Sequence, residues 1–438
     1  MKKTLHDWLT WQETLHLSEI DLGLERIGRV AKELQLVNPP FPIITVAGTN
    51  GKGSTVAFLN EILQAQGYKT GAYTSPHLIN YNERITINSS EATDDLIIEA
   101  FEAIDAARFI NNKNNEIEEV SLTYFEFSTL AAMWCFQQQK VDVAVLEVGL
   151  GGRLDAANLW DTNLAIITSI DIDHIDWLGD DREIIAREKA GIMRNSVPVI
   201  CGDTNPPEMI STEALRIGAP LTQINTNFSF ITDDNDPDQW TWKNRDIELF
   251  LPKPKMQGDF QINNAATAIA GLMAIQNILA TTQESISAGL QKARVTGRLQ
   301  IINESPEWLL DVAHNPHSAK ELAKYINTHR VLGKTFALFS MLADKDIAEV
   351  INLMDPVIDE WHIVPLEGSR GIELNELKQR FIDSSIDTKL VTHKLFSDAY
   401  QTLKNITKGE DRVVAFGSFL VVSEVLDNSN FRRFFNHG

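Results

Sequence analysis

The sequence predicts an α/β protein of two domains, each built on a mainly parallel sheet covered by helices. Three observations carry that prediction. Strand-like apolar runs alternate with helical ones from Ile43 to Cys201, a Gly-rich turn with one lysine interrupts the first strand-to-helix step, and a second alternation starts after Arg298. Parallel strands need crossover connections, and helical crossovers place the helices on the sheet faces.

The first step is the most informative. Ile43–Val46 reads as a strand and breaks into Gly48-Thr49-Asn50-Gly51-Lys52-Gly53-Ser54, after which Val56, Leu59, Ile62 and Leu63 recur at helical spacing with Gly67 as the stop. Such a turn cradles phosphate: glycines let backbone N–H groups face the oxygens, the helix N-terminus adds partial positive charge, Lys52 a full one, and a hydroxyl can ligate Mg²⁺. The spacing departs from G-x-x-x-x-G-K-[ST], because Gly53 separates Lys52 from Ser54 and only two residues separate Gly48 from Gly51. Taken alone, a Gly-rich turn without a ligand stays open.

Further strands are expected at Thr70–Thr74, Val141–Leu146, Leu164–Ile170 and Val197–Cys201. Behind them lie Ser75-Pro76-His77, Glu147 with Gly149-Leu150-Gly151-Gly152-Arg153, and Asp171-Ile172-Asp173-His174. Ligands gather beyond the carboxyl ends of parallel strands, so these sets and the Gly-Lys loop should meet at one sheet edge. Arg182–Met193 reads as helix and contains Lys189. The stretch from Gly202 to Pro254 is polar and Pro/Asp/Asn-rich, with short antiparallel strands expected at Trp240–Trp242 and Ile247–Leu251. Asn263–Ala268 opens an Ala-rich helix, and Val295-Thr296-Gly297-Arg298 reads as a hinge, which sets domains at 1–296 and 297–438. The second domain's strands are expected at Trp308–Val312, Thr335–Ser340, Glu360–Val364, Lys389–Thr392 and Arg412–Phe416.

Composition narrows the partners. A chain of 438 residues with 43% hydrophobic content can bury sizeable cores. Its formal net charge of -21 argues against nucleic acid and anionic membranes, leaving small anionic substrates at a local basic site. Asp7, Gln12 and Glu13 interrupt the N-terminal segment, and no apolar run reaches the roughly 18 residues of a span, so a cytoplasmic protein is expected. Cys135 and Cys201 lie in or beside apolar segments and read as buried free thiols.

Seven motifs in order then resemble one family. Gly48–Ser54, Thr74-Ser-Pro-His-Leu78, Glu147–Arg153, Asp173-His174, Arg187-Glu-Lys-Ala-Gly191, Gly297-Arg298 and Asp311-Val-Ala-His-Asn-Pro316 resemble the dihydrofolate synthase/folylpolyglutamate synthase branch of the Mur ligase superfamily. The short phosphate loop is that family's own form. The resemblance implies an N-terminal P-loop ATPase domain with a small β insertion and a C-terminal Rossmann-like domain. It implies ATP-dependent ligation: a pterin-bearing carboxylate is phosphorylated, and L-glutamate displaces the phosphate. Dihydropteroate, reduced folates, L-glutamate and ATP are the expected substrates of a monomer.

The same resemblance distributes roles. Lys52 with Thr49, Asn50, Gly51, Gly53 and Ser54 would hold ATP, joined by Asn264, Arg298 and Asp311. Ser75, Glu147 and His174 would ligate magnesium, with the Ser54 hydroxyl as a further ligand. Lys189 would be carbamylated and help bind a second Mg²⁺, against the bland reading of a solvated helix lysine. His314 would line the site, and a ligand held by both domains implies closure. Participation of a monovalent cation stays open.

Substrate choice rests on three segments. Ile20-Asp21-Leu22-Gly23-Leu24-Glu25-Arg26 and Leu122-Thr123-Tyr124-Phe125-Glu126 look like the pterin-binding segments of the bifunctional bacterial enzymes, with Asp21-Leu22-Gly23 and Thr123–Glu126 as the contacts and Leu154-Asp155-Ala156 as a further part of the pocket. An aromatic ring can stack on the pterin and a carboxylate can accept from its amino-pyrimidine edge, although Phe125, Phe127 and Leu130 also read as a core stripe. Asp344-Lys345-Asp346 and Gly417-Ser418-Phe419 are expected near glutamate. Three rival readings remain: a peptidoglycan Mur ligase, which would normally carry an extra N-terminal domain where about 40 residues precede the loop here; a folylpolyglutamate synthase alone; and a nucleotide-dependent regulatory module.

Overall fold

The computed structural model describes residues 3–18, 20–111, 116–233, 236–368, 370–386 and 389–428. Its packing divides the chain into one unit of residues 1–255 and 261–294 and a second of residues 256–260 and 295–438.

The first unit carries strands β1 (Ile43–Ala47), β2 (Thr70–Tyr73), β3 (Ile85–Ile87) and β4 (Ser90–Glu91), then a separate hairpin of β5 (Phe109–Asn111) and β6 (Ile117–Glu119). It continues with β7 (Val143–Glu147), β8 (Leu164–Ile167), β9 (Val199–Cys201) and β10 (Leu221–Gln223). The main sheet runs β10-β9-β8-β1-β7-β2-β3-β4; its strands from β10 to β2 are parallel, and β3 and β4 add antiparallel pairs at the edge. Every residue of β1, β7 and β8 is buried, as expected for strands covered on both faces. In register, Val46 of β1 lies between Glu147 of β7 and Ile166 of β8, which brings the loops leaving three strands to one edge. Both cysteines are free and buried.

The insertion is a three-stranded antiparallel sheet of β11 (Phe228–Asp233), β12 (Asp236–Asn244) and β13 (Glu248–Pro252). Trp240 and Trp242 point inward, and Trp242 Nε1 donates to the Ala266 carbonyl at 3.1 Å, seating the sheet on the Ala-rich helix.

The second unit is a six-stranded sheet of β14 (Gln300–Glu304), β15 (Glu307–Asp311), β16 (Thr335–Phe339), β17 (Glu360–Ile363), β18 (Leu390–Thr392) and β19 (Arg412–Phe416). Its order is β14-β15-β19-β16-β17-β18, parallel except for β14. Phe339, Trp361, Phe381 and Phe416 interlock at its centre with ring centroids 5.0–6.0 Å apart.

Three boundaries differ from expectation for reasons that bear on the site. β8 stops at Ile167, not Ile170, because Thr168 and Ser169 turn their side chains to the Gly-Lys loop. β7 runs through Glu147, so that carboxylate is held on the last strand residue. The Lys189 helix ends at Ala190, short of Met193, where Gly191 packs against Arg153.

Candidate active site

The Gly-Lys loop is fixed by backbone and hydroxyl bonds to the end of β8. Thr49 N donates to Ser169 O at 2.7 Å, Asn50 N donates to Ser169 Oγ at 3.1 Å, and Thr168 Oγ1 donates to Asn50 O at 2.6 Å. Gly51 caps the helix Lys52–Gln66 with φ 86°, a left-handed conformation natural to glycine. A Cβ there would meet Asn264 Oδ1 at 2.5 Å, so the structure sets Asn264 directly against the loop. Lys52 Nζ donates back to Gly48 O at 3.1 Å and Thr49 O at 3.2 Å, which keeps its charge at the loop mouth. Ser54 is buried in the first turn of that helix.

Glu147 joins this loop. Its Oε2 lies 3.6 Å from the point a Gly53 Cβ would occupy and accepts from Ser75 N at 3.3 Å. Thus Ser75, Glu147 and Gly53 from three separate strand ends adjoin, as the sheet topology requires. His174 takes φ 54° at the start of the short helix Ile175–Leu178, and its N–H donates to Asp173 Oδ1 at 2.8 Å. Burial and the Arg84 guanidinium push the His77 imidazole down to about 4. That agrees with its Nδ1 lying 2.7 Å from Arg84 Nε, where it can only accept.

Lys189 is buried at 3% exposure, which overturns the solvated-lysine reading. Burial, then the charge of Lys52, lowers its amine to about 7. The glycines of the β7 loop bring this about: a Cβ on Gly152 would lie 2.8 Å from Glu188 O and 3.1 Å from Lys189 Cα, and Arg153 N donates to Glu188 O at 2.9 Å. Asp155 is also buried; it accepts from Leu150 N and Ala157 N at 2.9 Å each, and burial raises its carboxyl to about 6.

The three pterin-like segments converge. Gly23 N donates to Leu154 O at 3.2 Å. Arg26 joins the other two: its Nη1 contacts Asp21 Oδ2 at 2.6 Å, and its Nη2 contacts Asp21 O at 2.7 Å and Glu126 Oε1 at 3.2 Å. His16 closes the far side, 3.1 Å from Asp21 Oδ2 and 2.7 Å from Ser121 Oγ. Thr123 and Glu126 form the reciprocal cap of the helix Tyr124–Gln139, and burial raises the Glu126 carboxyl. Phe127 and Leu130 are core, as their spacing allowed, whereas Tyr124 and Phe125 are only partly buried. Leu22 and Ala156 lie in the same convergent segments. His16 and Arg26 share Asp21, five residues from each, but their second partners, Ser121 and Glu126, lie 105 and 100 residues away, so the Thr-x-x-Glu cap was the clearest local signal.

In the second unit Asp311 ends β15 and accepts from Leu299 N and Ala313 N at 2.8 Å each; burial raises its carboxyl. His314 Nδ1 lies 2.8 Å from Val312 O, and the Phe419 ring lies 6.0 Å from the His314 ring and 5.9 Å from the Arg298 guanidinium carbon. Asp344 pairs with Arg370 at 2.7 Å, and Asp346 caps the helix Ile347–Met354, so both carboxylates have structural partners.

The chain matches the Mur ligase middle domain over residues 46–272 and the Mur ligase glutamate ligase domain over residues 297–419. It is 40% identical to the dihydrofolate synthase/folylpolyglutamate synthase of Escherichia coli across 98% of this chain and 96% of the relative. A solved Escherichia coli FolC in complex with DHPP and ADP aligns with TM-score 0.90 and 39% identity, covering 98% of this chain and 99% of that one. A bifunctional folylpolyglutamate synthase/dihydrofolate synthase with Mn, AMPPNP and L-glutamate bound aligns with TM-score 0.87 and 39% identity, covering 97% and 98%.

Proposed function

The chain belongs to the dihydrofolate synthase/folylpolyglutamate synthase family of Mur ligases, and from that premise we propose the reaction that its site performs. It is an ATP-dependent ligase that joins L-glutamate to dihydropteroate, forming dihydrofolate, and to reduced folates. The convergence of the Gly-Lys loop, Ser75 and Glu147 at one sheet edge carries the reading within this chain.

A carboxylate oxygen of the acceptor attacks the γ-phosphorus, the bond to the bridging oxygen breaks, and ADP leaves. The amine of L-glutamate then attacks the acyl carbon, phosphate departs, and the amine gives up a proton. Two anions must meet in the first step, so fixed positive charge decides its rate. Lys52 and the N–H groups of Gly51–Ser54 hold the phosphates, Thr49 and Asn50 anchor the loop to Ser169, Asn264 steadies it, and Arg298 and Asp311 are proposed nucleotide contacts. His314 is proposed to line the reacting groups.

Ser75, Glu147 and His174, with Ser54, would hold a magnesium ion, whose charge neutralises the phosphates. The donors fit. Among the described residues no three His, Cys, Asp or Glu side chains converge, so hydroxyl, phosphate and water oxygens would complete the set, as Mg²⁺ prefers. A carbamate on Lys189 would hold a second ion, and an amine held near 7 offers the uncharged form that takes up CO₂. Asp21-Leu22-Gly23, Thr123–Glu126 and Leu154-Asp155-Ala156 would take the pterin. We read a monomer acting on small molecules in the cytoplasm; no helix among the described residues is long and apolar enough to cross a membrane.

Product mass spectrometry tests the breadth. Glutamate should be added to dihydropteroate and to a reduced folate monoglutamate; addition to folates alone would leave only the narrower synthase.

A further inference from the structure

Arg84 is a buried cation without a carboxylate partner among the described residues. It is 8% exposed, and its Nε donates to His77 Nδ1 at 2.7 Å. Its guanidinium carbon lies 5.4 Å from the Tyr124 ring centroid and 5.8 Å from that of Tyr81. The adjacent acid is turned away: Glu83 accepts from Leu78 N, Ile79 N and Asn80 N at 2.7–2.8 Å. The Nη nitrogens of Arg84 donate to no described residue yet are not sealed from solvent, so the fork is open to an incoming anion.

Its place says which anion. The Arg84 carbonyl accepts from Thr74 N at 3.0 Å, beside Ser75 at the phosphate end of the site, while its guanidinium faces Tyr124 in a pterin segment. We propose that Arg84 binds the carboxylate of the pterin acceptor through its free fork and holds it for attack on the γ-phosphate, with His77 as the positioning residue that orients the fork. This rests on the ligase reading above. One carboxylate oxygen bonds to phosphorus as the bond to the bridging oxygen breaks, and Arg84 gives up no proton. Planar bidentate recognition is what guanidinium offers and ammonium does not.

The test compares equilibrium binding of dihydropteroate with that of its analogue lacking the carboxyl group. The wild-type protein should prefer dihydropteroate at least about tenfold, the scale of a charge-assisted hydrogen bond. Arg84→Gln should bind both alike, at the wild-type affinity for the analogue, with AMPPNP affinity unchanged; Arg84→Lys should recover only part of the preference. His77→Leu should reduce it and His77→Asn, which keeps an acceptor, should restore it, so the proposal stays testable if Arg84→Gln fails to fold. Full preference retained in Arg84→Gln, equal loss for both ligands, or loss of AMPPNP instead would overturn it. If the wild-type protein binds neither dihydropteroate nor a reduced folate, the ligase reading itself fails; binding of both without dependence on Arg84 overturns this proposal alone.

Discussion

Gly152 and Lys189 meet backbone to backbone: a Cβ on Gly152 would lie 3.1 Å from Lys189 Cα and 2.8 Å from the preceding carbonyl oxygen. The loop that leaves β7 beyond Glu147 therefore sets the depth at which the Lys189 helix docks. A proposed metal ligand and the proposed carbamate are positioned by one short segment, and the glycine is required by proximity, since its φ is not positive.

Gly152→Ala should push the helix end away. Overpacking at backbone contact costs about 1–3 kcal/mol, so the melting temperature should fall by several degrees and ligation should drop with it. Thermal unfolding measured beside turnover checks this; wild-type values for both would mean that the contact does not position Lys189.

Lys189→Ala should abolish ligation while the helix persists, because alanine is its best former. Small carboxylic acids should partly restore activity by replacing the carbamate. The pH dependence has a definite sign. With the amine at about 7 rather than 10.5, the uncharged form grows as pH rises through 7, so reactivation of CO₂-stripped protein by bicarbonate should rise to about pH 8 and then level. A rise continuing to pH 10 would mean an ordinary lysine, and near-normal ligation by the alanine variant would remove the second-metal proposal.

Lys52→Ala removes the fixed charge at the loop mouth. Turnover should fall by on the order of a hundredfold or more, the scale for loss of one preorganised donor to a charged transition state. Steady-state kinetics decide it, and near-normal turnover would contradict the phosphate-loop role.

Arg26→Ala should act on the pterin side alone. It releases Asp21 and leaves buried Glu126 without its cation, so the KM for dihydropteroate should rise by about tenfold or more while the KM for ATP holds. Equal changes in both would assign Arg26 to stability instead.

The parallel sheets, the Gly-Lys loop and the strand-end polar sets were legible because each depends on local periodicity or on a turn at a strand end. Strands β3 to β6, β10, β11 and β14 were not: most lie at sheet edges or in small antiparallel sheets, are only two to six residues long, and mix polar with apolar residues. Burial of Lys189 was hidden for another reason. A lysine in an otherwise charged helix looks solvated, and only the docking of Gly152 shows otherwise. His16 and Arg84 were missed because their meaning lies in partners brought by the fold, such as His16 with Ser121, 105 residues away; Arg26 lies inside a pterin-like segment, but its pairing with Glu126, 100 residues away, was equally out of reach.

Isotope transfer tests the central claim most directly. Dihydropteroate with both carboxyl oxygens as ¹⁸O, incubated with ATP, Mg²⁺ and L-glutamate, should yield dihydrofolate and inorganic phosphate carrying one ¹⁸O, because the attacking oxygen leaves with the phosphate when glutamate displaces it. Ligation accompanied by unlabelled phosphate would contradict an acyl phosphate and the account built on it.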